Sequence, residues 1–173
     1  EKQWKHALEL LLWLPQAITQ PNAAAHVSAA RACCQASRWK EPLELLRSGP
    51  KRSYRNRDLE GHNELICAHG MGKHWQGSVQ LFAQLLDSEL EPNMLTYSFL
   101  ISGFGRAGRW ELAMELARSM IEQVVLPTTR ICNNLIAACA TAARWEESLL
   151  LLQQMWQFMA FPDRWTYGSL INA

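Results

Sequence analysis

Apolar positions along this chain fall on a helical stripe that recurs at a fixed interval. Trp4, Trp39, Trp75, Trp110 and Trp145 are spaced by 35, 36, 35 and 35 residues. Six residues after each stands a leucine: Leu10, Leu45, Leu81, Leu116 and Leu151. Four after stands Leu8, Leu43, Val79, Met114 or Leu149, and three after stands Ala7, Pro42, Ser78, Ala113 or Ser148. Residues at these intervals share one face of a helix, so each Trp opens a predicted helix of about twelve residues, helix B. The Trp, fixed beside leucine, is expected to pack in the core between adjacent repeats.

A second apolar segment precedes each Trp. Thr96-Tyr97-Ser98-Phe99-Leu100-Ile101 aligns with Ile131-Cys132-Asn133-Asn134-Leu135-Ile136. Gly61-His62-Asn63-Glu64-Leu65-Ile66 and Thr166-Tyr167-Gly168-Ser169-Leu170-Ile171 fall in the same register. Taken alone, Leu95 to Ser102 reads as a strand. The period overrules that, because the aligned Leu135 to Ala143 is Ala-rich and helical. This is helix A. Pro21-Asn22, Pro92-Asn93, Pro127-Thr128 and Pro162-Asp163 separate each helix B from the next helix A, as a helix stop followed by an N-cap. The second repeat lacks this punctuation and carries Lys51 to Asp58 instead, which predicts a longer connection.

A helix pair with one apolar face must stack on neighbours to bury it. The predicted fold is all-α, a right-handed α-solenoid of stacked antiparallel helix pairs. The units run 23–58, 59–93, 94–128 and 129–163, with partial repeats 1–22 and 164–173. Both ends fall mid-repeat without a polar cap, so the natural protein is expected to be longer.

Composition narrows the function. The 173 residues are 49% hydrophobic and 19% charged, enough to bury a core. Seventeen Lys+Arg against sixteen Asp+Glu give +1, so no polybasic arm or acidic tail dominates. No apolar run reaches the ~18 residues that span a bilayer, and no membrane partner is expected. Glu1-Lys2-Gln3-Trp4 leads straight into a helical pattern, so no signal peptide is expected. The five Cys are odd in number and form no CxxC, which reads as thiols of a reducing compartment. His62 and His69 lie seven apart with no third ligand in view, so no metal is expected. Gly103-Phe104-Gly105-Arg106-Ala107-Gly108 matches GxGxxG, but no acid follows in the context a dinucleotide fold needs. Its small residues read instead as room for a tight A-to-B crossing. No catalytic set stands out, so neither an enzyme nor a cofactor is expected.

The stretch from Pro92-Asn93-Met94-Leu95-Thr96-Tyr97 through Trp110-Glu111-Leu112-Ala113 to Met120 resembles the pentatricopeptide repeat family, and the resemblance runs over essentially the whole chain. It implies an organellar protein that binds single-stranded RNA on its concave helix A face, one base per repeat. It further implies a role in RNA processing or stability, or in a ribonucleoprotein such as an organellar ribosome, in mitochondria or alternatively in plastids. Other proteins of such a complex are possible partners. By the same resemblance, two side chains per repeat read a base. Asn133 with Asp163 resembles a uridine-favouring pair, and Asn63 with Asn93 a pyrimidine pair. Ser98 with Thr128 departs from the usual pairs, and Val27 lacks a hydrogen-bonding group. Arg106 stands where the family often holds phosphate. Arg130 and Trp165 stand where it sandwiches a base.

Charge placement agrees with an RNA face on helix A. Arg31, Arg106, Arg130 and Arg164 fall there against Glu60 and Glu64. Glu9, Glu41, Glu44, Glu111, Glu115, Glu146 and Glu147 fall on helix B. The basic cluster Arg47, Lys51, Arg52, Arg55 and Arg57 reads as a solvated loop or a second anion contact. The alternative function is a protein–protein scaffold with little base-specific RNA binding.

Overall fold

The computed structural model describes residues 9, 23–36, 39–41, 43–44, 59–88 and 90–173. Trp4, Pro21-Asn22, Leu45 and the basic cluster at 47–57 lie outside the described residues, as does the long connection expected there. Among the described residues the A helices are α1 (Ala23–Gln35), α2 (Leu59–Met71), α4 (Met94–Arg106), α6 (Thr129–Thr141) and α8 (Arg164–Ile171). The B helices described in full are α3 (Trp75–Asp87), α5 (Trp110–Glu122) and α7 (Trp145–Gln157), each opened by its Trp. Lys40, Glu41, Leu43 and Glu44 are helical after Trp39. There is no strand among the described residues, so the segment Leu95 to Ser102 is helix, as the period required.

The turns repeat as regularly as the helices. The A-to-B turns after α2, α4 and α6 place their middle residue in the left-handed region: Lys73 (φ 60°), Gly108 (φ 69°) and Ala143 (φ 54°). The next residue closes the turn with an N–H donated back to the helix. His74 bonds the His69 carbonyl, Arg109 that of Phe104 and Arg144 that of Cys139, each at 2.9 Å. This is a Schellman-type stop, which satisfies helix-end carbonyls that would otherwise be orphaned. The turns after α5 and α7 use the same device at Val124 (φ 62°) and Met159 (φ 56°).

The chain forms two compact units, Glu1–Glu91 and Pro92–Ala173. In the first, α2 packs on α1 and on α3. Val27, Ala30, Cys33, Ile66, Ala68 and Leu85 are buried there. In the second, α6 packs between α4 and α8, making a layer of A helices, and α5 and α7 pack against that layer. Tyr97, Leu100, Ile101, Ile131, Leu135 and Ile136 fill it. Gly105 serves the A layer: a Cβ there would stand 3.0 Å from the Ala138 Cβ. The GxGxxG match is therefore split between two jobs, close A–A packing at Gly105 and a left-handed turn at Gly108.

The expected Trp core is corrected by the structure. Trp39, Trp75 and Trp110 are half-buried, and Trp145 is 56% exposed. A side chain at the first residue of a helix sits at the rim of the pair, where little packs above it. The residues that anchor helix B lie deeper. Ser78, Ala113 and Ser148, three after the Trp, are at most 1% exposed. Leu85, Met120 and Met155, ten after it, are fully buried. The ten-residue interval was present in the sequence but unmarked by a single residue type, since Leu85, Met120 and Met155 fill it and Gly49 stands there after Trp39.

Candidate nucleic-acid interface

The second unit segregates charge between its two layers. Helices α4, α6 and α8 carry Arg106, Arg130 and Arg164 and no acid. Helices α5 and α7 carry Glu111, Glu115, Glu122, Glu146 and Glu147 against Arg118 alone. All three A-layer arginines are exposed, and Trp165 on α8 is 78% exposed. A positive layer backed by a negative one attracts a polyanion to one side only.

The first unit does not extend this pattern. Arg31 Nε donates to Glu64 Oε1 at 2.7 Å, and Arg31 Nη2 meets Glu60 Oε2 at 3.2 Å. Its charge is paired within the first unit, by Glu64 and Glu60. The bond to Glu64 holds the Arg31 pKa above its ordinary value. Burial pushes the Glu64 carboxyl up and outweighs the pull of Arg31 in the other direction. Val27 packs with Ala30 and Leu65 in the core. The positions that the repeat register pairs with Val27, Arg57 or Asp58, lie outside the described residues. Asn63 is buried on α2.

Asn93 and Asp163 are both N-caps, as the Pro-x punctuation indicated. Asn93 Oδ1 accepts from Thr96 N–H at 3.1 Å, and Asn93 N–H donates to Thr96 Oγ1 at 3.2 Å. Asp163 repeats this capping box on α8 with Thr166, at 3.0 Å in both directions. The backbone N–H of Thr166, helped by Asn133, holds the Asp163 carboxyl below its usual range. Thr128 stands at the N-cap of α6 in extended conformation but makes no side-chain capping bond. The third residue of α6 is the buried Ile131, which offers no hydroxyl to complete a box.

The Asn133–Asp163 pair is in direct contact. Asn133 Nδ2 donates to Asp163 Oδ1 at 3.0 Å across adjacent A helices. Thr166, fully buried, joins them by donating its hydroxyl to Asn133 Oδ1 at 2.6 Å. The sequence reading did not single out Thr166 as a site residue; a threonine three after the N-cap was the available signal. Ser98 is buried on α4 and Thr128 half-buried at the start of α6, and neither belongs to such a cluster.

Other candidates take structural places. His62 is buried, and His69 is half-buried with its pKa lowered, first by burial and then by His74. No group of three metal-ligating side chains occurs among the described residues. Burial raises the Cys132 and Cys139 thiols to about 11, which leaves them protonated and unreactive. No helix of the described residues is long and apolar enough to cross a membrane.

Comparison with known proteins places this arrangement. Profiles described as PPR repeat match residues 88–121 and 130–158. Those two stretches are pentatricopeptide repeats. Its fold is similar to the pentatricopeptide repeat protein PPR10 in a crystal structure with an 18-nt psaJ RNA element, at a TM-score of 0.77 and 24% identity. That similarity covers 97% of this chain and 24% of the other. A crystal structure of PPR10 from maize gives a TM-score of 0.68 at 24% identity, covering 98% of this chain and 24% of that one. These likenesses establish the fold as the pentatricopeptide repeat solenoid, and the chain spans about a quarter of the length of these structures. No curated protein matches its sequence closely enough to be counted a relative.

Proposed function

We propose that the chain is an RNA-binding segment that takes single-stranded RNA along the A helices of its second unit. The observation that carries this reading is the charge segregation there, three exposed arginines on the A helices against a single acid, the N-cap Asp163 of α8. Arg106, Arg130 and Arg164 supply phosphate contacts, and the exposed Trp165 ring supplies a stacking surface. The Asn133 amide is the base-reading group in this reading. Ser98 with Thr128 remains as the proposed reading pair of the neighbouring repeat. PPR10, bound to RNA in its crystal structure, supports the reading by its likeness of fold. The reading extends to an organellar protein, mitochondrial or alternatively of plastids, acting in RNA processing or stability or within a ribonucleoprotein. No step of it calls for enzymatic chemistry.

The test is binding of the chain to a labelled, unstructured single strand and to a duplex of the same sequence. Binding to the single strand that weakens when Arg106, Arg130 and Arg164 are all changed to Gln supports the reading. Equal binding by the triple variant overturns it.

A second reading, a protein-binding scaffold, is favoured by one feature. The turns after α5 and α7 carry no charge between residues 123 and 127 or 158 and 162, and expose Val124, Leu126, Met159 and Phe161. Thr129 Oγ1 donates to the Phe161 carbonyl at 3.3 Å, so the second turn touches the start of α6. Exposed apolar surface of this kind suits a protein contact. Failure to bind RNA at low salt favours this reading.

A further inference from the structure

The hydroxyl of Thr166 has one proton and two acceptors within reach, Asn133 Oδ1 at 2.6 Å and Asp163 Oδ1 at 3.1 Å. The shorter contact takes the proton. The same oxygen accepts from the Asp163 N–H at 3.0 Å, so its orientation is pinned from both sides. Asn133 is thereby held at both ends of its amide. Nδ2 faces the Asp163 carboxylate at 3.0 Å, and Oδ1 faces Thr166. An amide turned the other way would set Oδ1 against a carboxylate, two acceptors with no proton between them. One Nδ2 hydrogen and one Oδ1 lone pair remain for a ligand, in an order the protein has fixed.

That order matters for pyrimidines. At positions 3 and 4 uracil offers a donor and then an acceptor, and cytosine an acceptor and then a donor. A freely turning amide satisfies either edge. A locked amide satisfies one of them and leaves the other with opposed like groups, the kind of mismatch a polar site rejects well.

We propose that Thr166 is a positioning residue: by holding Asn133 Oδ1 while Asp163 holds Nδ2, its hydroxyl fixes the donor–acceptor order that Asn133 presents, and so the discrimination between uridine and cytidine. This rests on the proposed RNA-binding function and on Asn133 as the reading group. The repeat before it lacks the device. Its corresponding residue is Ile131, fully buried and without a hydroxyl, so Ser98 has no such partner.

The test compares short oligouridine and oligocytidine strands bound to the whole chain and to Thr166→Val, Thr166→Ser and Asn133→Ala. One hydrogen bond of orientation corresponds to a preference of about two- to tenfold between the strands. Thr166→Val is expected to lower the ratio, with Asp163 alone left to hold the amide, and Thr166→Ser to restore it. A merely structural role predicts something else: Thr166→Val lowers the melting temperature and weakens both strands equally, leaving the ratio unchanged. That result overturns the proposal when Asn133→Ala does abolish the ratio. If Asn133→Ala also leaves the ratio unchanged, Asn133 as the reading group fails first, and the positioning role falls with it.

Discussion

The guanidinium of Arg144 lies 4.7 Å from the centre of the Trp110 ring. Arg144 immediately precedes Trp145, so each partner stands at the mouth of its own helix B. In the first unit, His74, which immediately precedes Trp75, meets the Trp39 ring edge-on at 5.3 Å. Trp39 and Trp110 are thus rim residues that each meet the turn of the next repeat.

Trp110 is accordingly expected to behave as a half-buried brace. Trp110→Ala should cost about 1–2 kcal/mol, below the ~3–5 kcal/mol of a fully buried aromatic. A double-mutant cycle with Arg144→Gln should give a coupling of about 0.5–1 kcal/mol, the range of an exposed cation–π contact. Thermal or urea unfolding measures it, and zero coupling means the stacking contributes nothing.

Arg31→Gln separates stability from RNA binding. It should leave RNA affinity nearly unchanged, because Glu60 and Glu64 already occupy the guanidinium. It should destabilise by about 1–3 kcal/mol at neutral pH, since it strands a carboxylate that is 4% exposed. The pH dependence follows from the raised Glu64 pKa. The folded state holds the proton more tightly than the unfolded chain, so stability falls as pH rises from the ordinary carboxylate value through the raised one. Without Arg31 that decline should reach further toward neutral pH, which melts across a pH series would record.

Gly108 and Ala143 occupy the same left-handed turn position, at φ 69° and 54°. A Cβ at Gly108 would meet nothing within 4 Å, so Gly108→Ala should cost only backbone strain, about 1 kcal/mol. Ala143→Gly should stabilise by less than that, because glycine also loosens the unfolded chain. Melting temperatures moving in opposite directions check the pair.

Salt dependence reports how many arginines meet phosphate. Three contacts, from Arg106, Arg130 and Arg164, predict a slope of log K against log salt of about −2, at about −0.7 per contact on single strands. Each Arg→Gln change should flatten it by about 0.7. A much steeper slope would point to contacts outside the A layer, with the basic cluster at 47–57 as the first candidate.

The helices and their order were legible in the sequence because they depend on intervals along the chain. Trp75, Trp110 and Trp145 announce helix starts, and Asn93 and Asp163 after proline announce caps, through bonds that reach only three residues. The depth of a side chain is a different matter. Trp110 and Met120 lie on one helix, and only the packing of α5 against the A helices shows the first at the rim and the second fully buried. The Arg31–Glu64 pair joins residues 33 apart, and so does the Thr166–Asn133 bond. No local interval distinguishes a satisfied arginine from an available one, or a cap that ends at its own helix from one that reaches its neighbour. By itself the sequence determined the repeat, the helix pairs and the caps at Asn93 and Asp163. The stacking of one A helix on the next decided which charges cancel and which amide is held, because those energies arise only between side chains that the chain itself keeps far apart.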